Sequence, residues 1–257
     1  MALRKLPKTS RSVRLATRSL DVPAEGAHLI QEFFRPLHAL GSMPEFTARR
    51  LKRAGLGPES RVLDLGCGKG AVAVEIARRI GCRVLGVDAF APFIADCRDL
   101  ARARGVENLC EFRVGVAERI RLRGFDAVVL LNVFPFEQAI RIARRLTKPG
   151  GWYIFDDAVA LKRRRDTAHL PTPADVERTI EDADDRVLDS KVWSGAEVRS
   201  RERAIYKLLR TNAGRVITNG AADRALLEEC LRRKLAAISE LSGSVRPGWW
   251  LARRGRR

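Results

Sequence analysis

Apolar positions recur at two periods along this chain, and the alternation of those periods predicts its architecture. Residues 62–65, 82–88, 109–114, 125–132 and 152–155 are short, largely apolar runs of strand length. The fourth is nearly continuous, as expected of a parallel strand covered on both faces. Residues 71–80 and 137–146 carry apolar side chains at helical spacing instead. Strands alternating with helices in this way predict an α/β fold. Before the first strand, residues 26–56 read as two helices. Ile30, Phe33, Phe34, Leu37 and Leu40 lie in one and Phe46, Leu51 and Leu56 in the other, separated by Gly41-Ser42-Met43-Pro44. After the fifth strand, Thr172-Pro173-Ala174-Asp175 opens a helix with a cap and a proline, and residues 186–193 alternate as a strand. Residues 194–209 and 221–241 then read as long helices, and 248–253 as a seventh strand.

Chemistry concentrates where the first strand ends. Val62-Leu63-Asp64-Leu65-Gly66-Cys67-Gly68-Lys69-Gly70 runs from a buried strand into a loop with glycine at alternate positions. Alternate glycines leave one side of a turn open, so that a ligand can lie against bare backbone. The spacing is G-x-G-x-G and not the G-x-G-x-x-G of a dinucleotide fold. Asp64, just ahead of the glycines, would repel a phosphate and suits a cationic ligand. The second strand ends in Asp88, 18 residues beyond Gly70, where a carboxylate can accept from both hydroxyls of a ribose.

These segments resemble the cofactor site of the class I S-adenosylmethionine-dependent methyltransferases. The resemblance implies a Rossmann-like seven-stranded sheet with helices on both faces and a helical insertion before the last strand. It also implies S-adenosylmethionine as cofactor, held by Asp64, Gly66, Cys67, Gly68, Gly70, Asp88, Ala89, Phe90, Val116, Ala117 and Asn132. In such enzymes the acid at the place of Asp64 lies near the amino group of the methionine moiety, and the residues at the places of Ala89 and Phe90 pack on the adenine. Many carry an acid where this chain has Val116, accepting from the adenine amino group. Its loss costs about 1 kcal/mol of contact; Glu118 two residues on is a candidate substitute, with a solvated loop acid as its plainer role. The phrase L-x-K-P-G-G before the fifth strand is a further family likeness.

Catalytic residues are less sharply marked. Asn132, at the end of the fourth strand, and the successive acids Asp156 and Asp157, at the end of the fifth, overhang the expected cleft. They suit substrate positioning or proton transfer. Side chains of neighbours in an extended chain point to opposite faces, so solvated loop acids are the plainer account of the pair. No further carboxylates stand near them to make a metal site. Ser42, Met43 and Phe46 are candidates for lining the cofactor pocket from the N-terminal helices. The insertion at about 194–245 is expected near the substrate mouth as a lid, with Ile205, Tyr206, Leu208 and Leu209 facing inward.

Composition narrows the class. With 257 residues and 46% hydrophobic content, the chain suffices for one domain, taken as residues 26–257, with residues 1–25 as a basic, disordered tail. The five cysteines form no C-x-x-C pair and read as reduced thiols of a cytoplasmic protein. Three scattered histidines lack metal-ligand spacing, and no apolar run reaches the length of a membrane span. The net charge of +18 raises nucleic acid as a partner through basic ends at 1–20 and 252–257, and Lys162-Arg163-Arg164-Arg165 is an internal basic run. The reading is methyl transfer to a small-molecule acceptor. Its alternatives are an RNA or protein methyltransferase using the basic surface, and a noncatalytic cofactor-binding or scaffold protein on the same fold.

Overall fold

The computed structural model describes residues 11–216, 218 and 220–256. Seven strands, β1 (Arg61–Leu65), β2 (Arg83–Asp88), β3 (Cys110–Val114), β4 (Phe125–Leu130), β5 (Thr147–Ala160), β6 (Arg186–Val192) and β7 (Val245–Arg253), form one sheet in the order β3-β2-β1-β4-β5-β7-β6. β1 to β5 pair in parallel, and β7 inserts antiparallel between β5 and β6. The helices are α1 (Arg11–Ser19), α2 (Ile30–Phe33), α3 (Pro44–Arg53), α4 (Ala71–Ile80), α5 (Ala91–Ala103), α6 (Phe136–Leu146), α7 (Pro173–Asp182), α8 (Gly195–Ala213) and α9 (Ala221–Glu240).

The strand period of two divides the core. Val62, Val84, Val129, Ile154 and Leu251 face α3, α4 and α5, whereas Leu63, Leu65, Val128, Leu130, Tyr153 and Trp250 face α6 and α7. Phe155 stacks on Trp250 at 5.6 Å and 16° inside the second layer. A third cluster joins α2, Leu209 of α8 and Leu227 and Cys230 of α9 to Phe90 and Phe93 at the start of α5. The helical insertion therefore lies against the N-terminal helices.

Four expectations change. β5 runs from residue 147 to 160, not 152 to 155, because it pairs with β7 from Trp152–Arg253 through Ala160–Val245. Hydrogen bonding to an antiparallel partner carries the strand past its apolar stretch. Within the segment expected as a tail, residues 11–25 are folded, with Ala16, Thr17 and Val22 buried; residues 1–10 lie outside the described residues. The basic C-terminus is likewise built in. Arg253 belongs to β7, and Arg254 donates to the carbonyls of Arg144 and Thr147. On α8, Leu209 is 1% exposed and Leu208 48%, so Leu208 faces away from the core, as its rotation of about 100° from Leu209 on a helix dictates.

Candidate cofactor and acceptor site

At the end of β1 the chain turns through Gly66, Gly68 and Gly70 at φ of 79°, 52° and 80°, a region that side-chain-bearing residues rarely adopt. Gly66 and Cys67 donate to the Val87 carbonyl at 2.7 and 3.1 Å, which ties the loop to β2. Two of the glycines are also needed for space. A Cβ on Gly66 would lie 2.3 Å from Val133 Cγ2, and one on Gly70 would lie 3.2 Å from Cys97 Cα. Gly66→Ala is expected to destabilise by about 2–3 kcal/mol in urea unfolding, the sum of a left-handed alanine and an overpacked contact. Val133→Ala in the same chain should recover the steric part and leave the backbone part.

Asp88 closes the loop from below. One carboxylate oxygen accepts from Gly68 N at 2.9 Å, and the other from Phe90 N at 2.8 Å. Burial raises its pKa, and the amide donors lower it in part. Each oxygen keeps a further lone pair for a hydroxyl. Gly115 donates to the Asp88 carbonyl at 2.9 Å, which brings half-buried Val116 and Ala117 up to Asp88 and Ala89. Phe90 is 2% exposed and packs edge-on against Phe93 at 4.8 Å, within the third cluster. The side chain of Glu118 lies outside the described residues.

Asp64 is the unbalanced group of the site. It is 3% exposed, and its Oδ2 has no hydrogen-bond partner. Burial pushes its pKa up to about 7, against the hydrogen bond from Ala73 N, and the charge of Asp88 adds to the rise. A buried carboxylate oxygen without a donor is costly, and a cation brought to it removes that cost. The ammonium of the methionine moiety has the charge and the donors for this position. The donor set thus fits S-adenosylmethionine. Cys67, also in the loop, lies 4.0 Å from Cys97 through sulfur, and the described cysteines are free thiols as expected. Among the described residues no cluster could hold a metal ion.

On the acceptor side, Asn132 adopts φ of 57° and donates its backbone N–H to Asp156 Oδ1 at 2.6 Å. Asp157 Oδ2 accepts from Phe136 N, the first residue of α6, at 2.8 Å. The two acids do not diverge into solvent. Together they hold both ends of the 132–136 loop, and burial raises both pKa values, that of Asp156 to about 7. Ser42 and Met43 are half-buried. Phe46 stands instead in an aromatic cluster, edge-on to Trp193 at 5.1 Å and to Trp249 at 4.9 Å.

Several residues with no sequence signal complete the site. Leu40 Cδ1 would be 3.3 Å from a Cβ on Gly68, and Asn132 Nδ2 3.9 Å from one on Gly41, so the 40–41 segment crosses between the two halves of the cleft. Lys69, 5% exposed, donates to the carbonyls of Phe34 and Arg35 at 3.2 and 3.5 Å and pairs with Asp96 at 3.2 Å. Asn212 of α8 donates to the carbonyls of Glu32 and Phe33 at 2.6 and 3.0 Å. A lysine of the glycine loop and an asparagine of the insertion thus tie the end of α2 and the residues after it to the rest of the site. Lys69→Met is expected to lower stability by about 2 kcal/mol in urea unfolding, because Asp96 loses its cation and the Arg35 and Phe34 carbonyls lose a donor, the latter keeping Leu37 N. The cofactor-loop glycines would keep their geometry.

This sheet order, with an acid before an alternate-glycine loop at the end of β1 and a second acid at the end of β2, is that of the class I S-adenosylmethionine-dependent methyltransferase fold. Residues 62–151 match the family model described as methyltransferase domain. The chain is 35% identical over 127 residues to a ubiquinone biosynthesis O-methyltransferase of Xanthomonas oryzae pv. oryzae, covering 46% of this chain and 49% of that protein. It is 30% identical over 132 residues to a glycine/sarcosine/dimethylglycine N-methyltransferase of Actinopolyspora halophila, covering 49% of this chain and 23% of that one. The chain thus spans half or less of the length of these relatives. A solved methyltransferase from Geobacter sulfurreducens, in complex with S-adenosyl-L-homocysteine, shares the fold at a TM-score of 0.71 and 16% identity, covering 91% of this chain and 98% of that one. No helix among the described residues is long and apolar enough to cross a membrane.

Proposed function

We propose that the protein transfers a methyl group from S-adenosylmethionine to an amine or hydroxyl of a small molecule. The observation that carries this reading is the unpartnered, buried Oδ2 of Asp64 beside an alternate-glycine loop and Asp88. Bound there, the cofactor supplies an electrophilic methyl group on a sulfonium. Asp64 receives its ammonium, Asp88 its ribose hydroxyls, and Ala89, Val116 and Ala117 border its adenine. Gly66, Gly68 and Gly70 let the backbone approach it. Asn132 orients the acceptor, while Asp156 takes the proton that an amine or hydroxyl sheds on methylation, and Asp157 keeps the 132–136 loop in place. Most of the acceleration comes from holding the nucleophile in line with the methyl group. The printed activities of the two relatives, an N- and an O-methyltransferase, support these acceptor classes.

A carboxyl near neutrality serves as a base only once ionised, so turnover is expected to rise with pH through about 7. The test is a transfer assay with tritiated methyl donor against pooled small amines, phenols and hydroxy acids, with total RNA and mixed protein as further pools. Label in a small-molecule pool supports the reading. Label confined to RNA or protein replaces its acceptor, and cofactor binding with no label anywhere replaces its reaction.

A further inference from the structure

Away from the cleft, the connection from β3 to β4 carries Arg119-Ile120-Arg121-Leu122-Arg123. Ile120 itself is extended, at φ −66° and ψ 121°. Ile120 packs against the α6 layer of the core. The three arginines are exposed, and with Leu122 and Arg145 of the last turn of α6 they line a concavity of about 580 Å3. That is within the size range of pockets that hold small ligands.

Topology separates this concavity from the cofactor site. α6 starts at Phe136, beyond the C-terminal end of β4, and runs back to the start of β5. Its last turn, with Arg145, therefore lies at the opposite edge of the sheet from the cleft, and so does Arg123, two residues before β4.

Exposed arginines usually serve as solvated or paired surface charges, and much of this molecule follows that rule. Arg78 and Arg79 pair with Glu75, Arg102 with Asp99, Arg113 with Glu111, Arg163 with Asp175, and Arg232 and Arg233 with Glu229. Arg144, next to Arg145, pairs with buried Asp185 at 3.1 Å. Among the described residues, none of Arg119, Arg121, Arg123 and Arg145 forms an ion pair. Residues 119–125 contain no acid. Four like charges drawn from two elements around one concavity repel each other, and a multivalent anion relieves that repulsion. The planar guanidinium fork, with five donors, matches phosphate oxygens in pairs.

We infer that this concavity binds a ligand carrying two or more neighbouring phosphates, either a small phosphorylated molecule or a stretch of nucleic-acid backbone. Leu122, 38% exposed within it, offers a small apolar contact to whatever carries the phosphates. The ligand does not take part in the cofactor site, so this inference stands independently of the methyl-transfer reading.

The test titrates the full chain with sodium tripolyphosphate by calorimetry, and with a fluorescent single-stranded RNA ten-mer by anisotropy. The variants are Arg121→Ala with Arg123→Ala, and Lys162→Ala with Arg165→Ala as a basic control elsewhere. All four positions are exposed, and thermal melts check that the variants stay folded. Saturable tripolyphosphate binding that weakens at least tenfold in the first variant and stays within twofold in the second is the expected result. Displacement of the RNA by tripolyphosphate then assigns the nucleic-acid source, and no displacement assigns a small phosphorylated ligand. Absence of tripolyphosphate binding at millimolar concentration, or equal weakening in both variants, overturns the inference. S-adenosylmethionine binding by the first variant is expected to match the parent, which keeps this result separate from that of the cofactor site.

Discussion

Asp64→Asn is expected to make the cofactor-free protein more stable at slightly alkaline pH while weakening S-adenosylmethionine binding at least tenfold. Both effects come from one buried charge. With its pKa raised to about 7, the folded protein holds the Asp64 proton over a range where the unfolded chain, near 3.8, has lost it. The contribution of this group to stability is therefore full below about pH 4 and lost as pH rises through about 7. Above that, an ionised and unpartnered carboxylate stays buried beside α4. Asparagine removes the charge and keeps an acceptor for Ala73 N. Thermal midpoints should thus be similar for parent and variant near pH 4, and higher for the variant near pH 8, by the equivalent of about 1–3 kcal/mol. Asp156 titrates in the same window, so the difference between the two proteins is the informative quantity. Cofactor affinity moves the other way, because the partner for its ammonium is gone. A variant less stable near pH 8 with unchanged affinity would remove Asp64 from the proposed role.

Asp185→Ala should be the most destabilising of the substitutions considered, by about 3–5 kcal/mol in urea unfolding. The Asp185 side chain is fully buried, at 0% exposure. Its Oδ2 accepts from the Tyr153 hydroxyl at 2.7 Å and pairs with Arg144 Nε at 3.1 Å, while Oδ1 accepts from Gly255 N at 2.8 Å. This carboxylate joins β5, the end of α6, the turn before β6 and the C-terminal segment. Alanine would leave a buried hydroxyl and a guanidinium without their partner, which costs more than the pair itself contributes. Tyr153→Phe alone should cost about 1 kcal/mol, and the double variant less than the sum, since the hydroxyl is part of the same network. The site lies at the sheet edge away from the cleft, so cofactor affinity per folded molecule is expected to hold. A loss below 1 kcal/mol would mean that the network contributes little.

The parts of this protein legible in its sequence are those fixed by local pattern. The glycine loop, Asp64 and Asp88 share one stretch of strand, turn, helix and strand, and their spacing constrains their geometry. The capped start of α7 is equally local, with Thr172 and Asp175 hydrogen-bonded to each other as the sequence suggests. What escaped depended on distant partners. Lys69 carries no sequence signal of its place, which is buried because carbonyls of Phe34 and Arg35 and the carboxylate of Asp96 surround it. Asn212 carries no motif, and its role follows from where α8 packs. The terminal arginines looked like free tails because composition does not reveal that Arg254 meets the carbonyls at the end of α6. Asp156 and Asp157 were legible as cleft acids but not as the hydrogen-bonding anchors of the 132–136 loop.

The central claim is that the alternate-glycine loop, Asp64 and Asp88 form an S-adenosylmethionine site. Isothermal titration of the full chain with S-adenosylmethionine, repeated with Asp88→Ala, tests it most directly. One site per chain, with affinity falling at least tenfold in Asp88→Ala while its melting transition stays cooperative, is the predicted result. No heat and no thermal shift at millimolar cofactor, or equal binding by the variant, would contradict the account.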